Sequence, residues 1–224
     1  MKVLGPNDKK ISGLAVASAL AGGDDVPVVQ GGATKQATMT QIAAFVGRSV
    51  WNTNLANLGP GFAADTYLSG SDCAVPADSA FKAKTFYTCK FSISKTNAGT
   101  AAPVITVRIG TNGSLSDAAR LTLTFPAQTA VVDEGVFDVN VIFKSVGIGT
   151  TAVIGGWASL IHDLGSGGSS AGTGLSVQSA PTVIANSSGF DSTPANSKIG
   201  LSFNGGTSMS ATIVALWSQL ANLA

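Results

Sequence analysis

The chain contains a single histidine, His162, which is followed directly by an aspartate, Asp163. A histidine whose ring is oriented by a carboxylate is the usual general base of a serine hydrolase. Adjacent residues of a strand point to opposite faces of the sheet, so Asp163 cannot orient His162 from the next position without a bulge. We therefore predict that His162 lies near the surface at the end of a strand and has no catalytic role.

The single glutamate, Glu134, follows Asp133, and a pair of acids is the machinery of most glycosidases. Both residues fall in the segment 130–135 between two predicted strands, where neighbouring acids are usually solvated turn residues. One histidine, one glutamate and eleven aspartates offer few ways to pair a base with an orienting group. We therefore expect a protein that is not an enzyme and that has no catalytic residue, cofactor or metal ion.

The two cysteines, Cys73 and Cys89, cannot complete a four-ligand zinc site with a single histidine. A disulfide between them is geometrically possible. The start of the chain lacks the continuous apolar stretch of a secretion signal, which would have indicated an oxidising compartment. Free thiols are therefore the favoured prediction, in a protein made in a cytoplasm.

Charged residues are scarce in this chain. Hydrophobic residues make up 45% of the sequence and charged residues only 11%, against about 25% in ordinary proteins. The net charge of +1 gives no general attraction to nucleic acid or to an anionic membrane. No window of about 18 uninterrupted apolar residues predicts a membrane span. We expect much of the surface to face another chain, as in a homotrimer.

Residues 1–50 differ in pattern from the rest and predict a small module. Val26–Gln30 reads as a strand, and Gly31-Gly32 permits the positive φ angles of a tight turn into a return strand over 33–37. A helix is predicted from Gln41 to Val46, where Gly47 ends it. A piece of this size has too little core to be stable alone, so we expect it to dock on a partner or to trimerise.

The remainder of the chain predicts a β-sandwich. Residues 51–65, rich in Asn and Gly, read as a linker, and from residue 66 onward apolar residues recur with the period of two that is typical of strands. Eight or so strands without intervening helices favour an antiparallel β-sandwich over 66–224, with a jelly roll as the commonest eight-stranded form. The main predicted strands are 85–95, 104–110, 120–125, 136–143, 151–161, 182–184, 198–203 and 210–220.

The N-terminal segment resembles a known family of modules. Between Lys10 and Ile42, a small apolar run is followed by Val-Pro-Val-Val-Gln-Gly-Gly, Thr-Lys and Gln-Ile in that order. This order is similar to the N-terminal module of tailed-bacteriophage tail-fibre, head-fibre and spike proteins, which precedes a variable C-terminal domain. The resemblance implies attachment to capsid or tail proteins of a virion assembled in a bacterial host. The residues that it marks as attachment residues are Val26, Pro27, Val28, Val29, Gln30, Gly31, Gly32, Thr34, Lys35, Gln41 and Ile42.

Two functions remain open from the sequence. The first is a structural virion protein, either a short fibre or spike or a capsid-decorating head fibre, anchored by residues 1–50. The second is a carbohydrate- or receptor-binding module at the tip of a tail fibre, which would use exposed aromatic rings against a host glycan. Trp51 and Tyr67 precede the main strands and are the candidates for such rings. Trp157 and Trp217 lie inside strand patterns, which favours the core or a subunit interface.

Overall fold

The computed structural model describes residues 25–30, 33–38, 49–77, 79–96, 98–166, 174–178 and 181–223. The chain divides into two compact units, Met1–Gly47 and Arg48–Ala224. Strands β1 (Asp25–Gln30) and β2 (Ala33–Thr38) of the first unit form the predicted antiparallel hairpin. The helix predicted from Gln41 to Val46 lies outside the described residues.

The second unit consists of two antiparallel sheets. Its described residues include one short helix, α1 (Asp163–Ser166), and no described helix is long and apolar enough to cross a membrane. The seven-stranded sheet contains β3 (Val50–Asn54), β4 (Leu58–Gly61), β7 (Phe86–Lys95), β10 (Asp133–Ser145), β11 (Val153–His162), β12 (Thr182–Asn186) and β14 (Ala211–Ala221). The five-stranded sheet contains β5 (Thr66–Tyr67), β6 (Cys73–Ala74), β8 (Val104–Gly110), β9 (Ala118–Thr124) and β13 (Lys198–Asn204).

The strand pairing is that of a jelly roll. The chain pairs early strands with late ones, since β3 pairs with β14, β5 and β6 with β13, β7 with β10, and β8 with β9. The pairs β7–β14 and β8–β13 then join these strand pairs into the two sheets. Strands β11 and β12 extend one sheet beyond β10. The predicted fold class, a mainly β protein with a jelly-roll-like antiparallel sandwich, is confirmed.

The segment predicted as a linker, 51–65, belongs to the sandwich instead. Strand β3 pairs along β14, with Trp51 opposite Gln219, and β4 pairs with the beginning of β14. The Nδ2 of Asn52 also donates a hydrogen bond to the carbonyl of Asp72 at 2.7 Å. Asn and Gly favour turns in short-range patterns, whereas strand formation here depends on the neighbouring strand β14.

The core lies between the two sheets and is rich in aromatic rings. Phe137 of β10 stacks on Phe91 with ring centroids 5.0 Å apart and meets Phe125 edge-to-face at 5.1 Å. Phe203 of the opposite sheet contacts both Phe91 and Phe137. The alternation predicted along β7 is confirmed, because its core-facing side chains are all buried: Tyr87, Cys89, Phe91 and Ile93.

Candidate functional site

His162 is buried, with 2% of its surface exposed, and its carboxylate partner is Asp133. Its Nδ1 lies 2.7 Å from Oδ2 of Asp133. Strands β10 and β11 place Gly135 opposite His162, so Asp133 lies two residues away on the same core-facing side. The prediction of a histidine near the surface is therefore wrong. His162 is the last residue of β11, but its side chain points toward the core and is buried. Asp163, which follows it, is exposed.

Asp133 is also buried, which corrects the prediction that it is a solvated turn residue. Its Oδ1 accepts backbone N–H bonds from Glu134 at 2.9 Å and Leu164 at 3.2 Å. Its Oδ2 accepts the N–H of Leu175 at 2.8 Å in addition to the His162 ring. This set of four donors suits an ionised carboxylate, which only accepts hydrogen bonds. Glu134 is exposed, as expected of a solvated acid.

The His162 ring uses both of its nitrogens in structural contacts. Nε2 lies 2.9 Å from the carbonyl oxygen of Gln178, which can only accept a hydrogen bond. Since Nδ1 faces the Asp133 carboxylate, both ring nitrogens are occupied by structural hydrogen-bond partners. The chain also has a Gly-x-Ser-x-Gly spacing, Gly168 to Gly172, of the kind found in hydrolase elbows. That spacing lies outside the described residues.

Lys95 is a second buried basic side chain at the same end of the sandwich. It ends β7 on the core-facing side, and only 1% of its surface is exposed. Its Nζ donates to the carbonyls of Gly99 at 2.8 Å, Gly174 at 3.3 Å and Thr129. Burial lowers the pKa of the Lys95 ammonium, and the nearby Asp133 carboxylate opposes that effect. Lys95 and His162 thus hold the segment 174–178 against the sandwich. This role of Lys95 was not predicted from the sequence, although the period of two places Lys95 inward.

The two cysteines are free and buried. The Sγ of Cys73 lies 3.4 Å from the hydroxyl of Ser218, and burial raises the pKa of this thiol to about 11. Burial also raises the pKa of Cys89 well above its usual range. The favoured prediction of free thiols is confirmed, and their burial makes both thiols poor nucleophiles.

Part of the proposed attachment segment is described as the β1–β2 hairpin. Val28 pairs with Lys35, and Val29 pairs with Thr34. Pro27 and Lys35 are exposed, and Val26 is half-buried. Gln30 ends β1 opposite the first residue of β2. The remaining residues of that prediction lie outside the described part of the chain: Gly31, Gly32, Gln41 and Ile42.

All three tryptophans lie on the outer face of the seven-stranded sheet, the face directed away from the five-stranded sheet. Trp51 of β3 packs on Trp217 of β14 with ring centroids 5.0 Å apart and remains 56% exposed. Trp157 of β11 is 39% exposed. Tyr67, by contrast, is half-buried in β5 of the other sheet. The outer face is therefore the aromatic surface of the sandwich, and Trp157 and Trp217 are not core residues.

The strand registers arrange this outer face in rows. Two consecutive rows have polar side chains in the middle, where the Lys90 ammonium lies 2.9 Å from the Asp138 carboxylate. The apolar side chains lie to the sides of this middle: Trp51, Trp157 and Ile184 in the first row and Trp217 in the second. The first row is Trp51, Gln219, Thr88, Asn140, Trp157 and Ile184. The second is Thr53, Trp217, Lys90, Asp138, Ser159 and Thr182.

A groove of about 340 Å³ opens on this face beside Trp217. Its lining residues include Leu55, Ala215 and Val136, and Lys90 is also among them. At the opposite edge of the sheet, Ile184 projects from β12 with 80% of its surface exposed. An apolar groove and exposed apolar side chains on one sheet face are typical of an interaction surface.

No protein-family model and no curated protein matches this chain. Among solved structures, one that is titled "Structure of infectious bursal disease virus Gx strain" matches 90% of this chain at 10% sequence identity, with a TM-score of 0.20. This chain spans 48% of the length of that one. A similarity at this level carries no argument about function.

Proposed function

We propose that this chain is a structural protein of a tailed-bacteriophage virion, a short fibre or spike or a capsid-decorating head fibre. Residues 1–50 attach it to a capsid or tail protein, and the jelly roll projects from the particle as part of a homotrimer. The observation that carries the proposal is the order of residues from Val26 to Ile42, which resembles the attachment modules of phage appendages.

Features of the described structure support this function. The segment that resembles an attachment module contains a β-hairpin within a compact unit of its own, Met1–Gly47. The sandwich has an outer face with exposed apolar side chains, as expected of a part that assembles with other chains. The pair of His162 and Asp133 resembles the histidine and carboxylate of a hydrolase. This pair is buried and contacts loop segments, which is consistent with the expectation of a non-enzyme.

Removal of the first unit tests the attachment proposal. A variant without residues 1–47 keeps β3, which pairs with β14, and so should retain the strand signal in circular dichroism. We expect it to lose binding to virions that lack the protein, while the full chain binds them in a sedimentation assay. Undiminished binding by the folded truncated variant would contradict attachment through this unit.

The alternative function is a carbohydrate- or receptor-binding module at the tip of a tail fibre. The exposed Trp51 ring beside Trp217 favours it, because such a pair offers an apolar platform for a sugar ring. This function predicts that host polysaccharide quenches tryptophan fluorescence and that Trp51→Ala abolishes the quenching. Ile148→Ala, which removes an exposed apolar side chain outside the strands, serves as the control.

A further inference from the structure

The connection between β8 and β9 contains an Asn-Gly pair, Asn112-Gly113. Gly113 has a φ angle of +68°, in the left-handed region that favours glycine. A Cβ atom at this position would also lie 3.1 Å from the Asp72 carboxylate and 3.2 Å from the Lys198 ammonium. The turn therefore favours glycine after Asn112. This places a labile pair in the chain, because glycine has no side chain to shield its backbone nitrogen from the neighbouring asparagine amide.

Deamidation of such a pair uses the backbone nitrogen of Gly113 as the nucleophile. Hydroxide removes the proton of this nitrogen, which attacks Cγ of Asn112 and forms a new N–Cγ bond. The Cγ–Nδ2 bond then breaks, and the side-chain nitrogen leaves as ammonia after it takes a proton from water, which regenerates hydroxide. Water opens the resulting succinimide at either of its two C–N bonds and gives aspartate or isoaspartate. The reaction therefore requires that nucleophile and amide are free to approach each other.

In the folded chain, the Asp117 carboxylate holds both reacting groups. Its Oδ2 accepts the N–H of Gly113 at 2.7 Å, so the nucleophile is engaged, and the negative charge beside it opposes loss of its proton. Its Oδ1 accepts the Nδ2 of Asn112 at 3.1 Å and the backbone N–H of the same residue at 3.0 Å. Asp117 itself is buried, whereas Asn112 is exposed to water. Access of water therefore does not limit the reaction, but these hydrogen bonds do.

We propose that Asn112-Gly113 is a site of spontaneous deamidation in this chain, and that the Asp117 carboxylate keeps it unmodified in the native fold. The inference does not depend on the proposed function, since it concerns only the turn between β8 and β9. The product opposes closure of this turn. Conversion of Asn112 to aspartate replaces the Nδ2 donor by an oxygen next to Oδ1 of Asp117, and two carboxylates repel each other at that distance.

A second Asn-Gly pair in the same chain, Asn204-Gly205, serves as an internal reference. The N–H of Gly205 donates to the carbonyl of Phe62 at 2.8 Å. The Oδ1 of Asn204 accepts the N–H of Gly206 at 2.8 Å. These two contacts do not involve Asp117, so a substitution of Asp117 should leave this pair protected. In the unfolded chain both pairs lose their contacts and should react at comparable rates.

Peptide mass spectrometry of the full-length chain, incubated at pH 8, measures deamidation at each pair. Both pairs should remain amides in the native unsubstituted chain during a time in which the chain unfolded in guanidinium chloride loses both. Asp117→Ala should raise the rate at Asn112 at least about tenfold, because hydrogen bonds to a charged acceptor contribute that factor or more, while Asn204 stays intact. Ser116→Ala is the matched control, because the Ser116 hydroxyl bonds to Ser114 within the same turn, and it should keep the native rate.

Asp117→Asn keeps the size of the side chain and one acceptor oxygen, so its rate at Asn112 should lie between those of Asp117→Ala and the unsubstituted chain. Three results would overturn the inference. Equal rates at Asn112 in the native and the unfolded unsubstituted chain would show that the fold does not protect this pair. Substitutions of Asp117 that leave the rate unchanged would show that the carboxylate is not the protecting group. Equal acceleration at Asn112 and Asn204 would show that the whole domain opens, which contradicts protection within one turn.

Discussion

The buried pair of His162 and Asp133 predicts a large effect of a small substitution. Asp133→Asn preserves the size of the side chain and replaces one acceptor oxygen by an NH2 group. In the native protein, four donors point at this carboxylate, two at each oxygen. Whichever way the amide is oriented, its NH2 group faces two donors that had an acceptor oxygen in the native protein.

The magnitude follows from the burial of both partners. The side chains of His162 and Asp133 are 0% exposed, so water cannot replace the lost contacts. Leaving a buried donor without an acceptor costs about 1–3 kcal/mol, and the substitution does this to two donors. A domain of this kind has a free energy of unfolding of about 5–15 kcal/mol. We therefore expect Asp133→Asn to remove about 2–6 kcal/mol of the stability, and to release the segment 174–178 that the pair helps to hold.

Equilibrium unfolding in urea, followed by tryptophan fluorescence, measures this effect. Glu134→Gln is the control, because it makes the same chemical change at the exposed residue next to Asp133, and we expect it to shift the free energy of unfolding by less than about 1 kcal/mol. A double-mutant cycle of Asp133→Asn with His162→Gln should give a coupling energy above about 1.5 kcal/mol. Equal effects of the Asp133 and Glu134 substitutions, or a coupling near zero, would refute this account of the pair.

Three further predictions concern other buried groups. Phe137→Ala should lower the free energy of unfolding by about 4 kcal/mol, because the ring is fully buried among other aromatic rings; a loss under about 1 kcal/mol in urea would contradict this packing. Burial would raise the pKa of Asp117, but backbone N–H bonds within its own turn hold it below the usual value. The ionised Asp117 carboxylate therefore makes its full contribution to the free energy of unfolding above about pH 4, and this contribution disappears as the pH falls through the folded pKa. We expect Asp117→Asn to cost about 2 kcal/mol at pH 7 and progressively less below pH 4. Cys73 and Cys89 should resist a thiol reagent at pH 8 in the native protein and react in urea, whereas rapid native labelling would show that the core opens.

The candidate surfaces were only partly predictable from the sequence. The strand patterns around Trp157 and Trp217 predicted that both residues lie in strands. These patterns did not predict that both side chains point outward. When a strand has apolar residues on both faces, packing against the second sheet decides which face turns inward. The pairing of His162 with Asp133, 29 residues apart, depends on the register between β10 and β11. Neighbouring Asp163 was the only partner that short-range spacing offered.

The amino-acid sequence by itself determined the fold class, the hairpin at Val26 to Ala37 and most strands of the sandwich. These features follow from local patterns: a period of two in apolar residues, glycine pairs at turns and the near absence of helical periodicity. Only the tertiary structure decided that β3 and β4 belong to the sheet, that Lys95, Asp133 and His162 are buried together, and that the tryptophans lie outward. Each of these depends on contacts between residues far apart in the chain, whose partners are selected by strand register and packing.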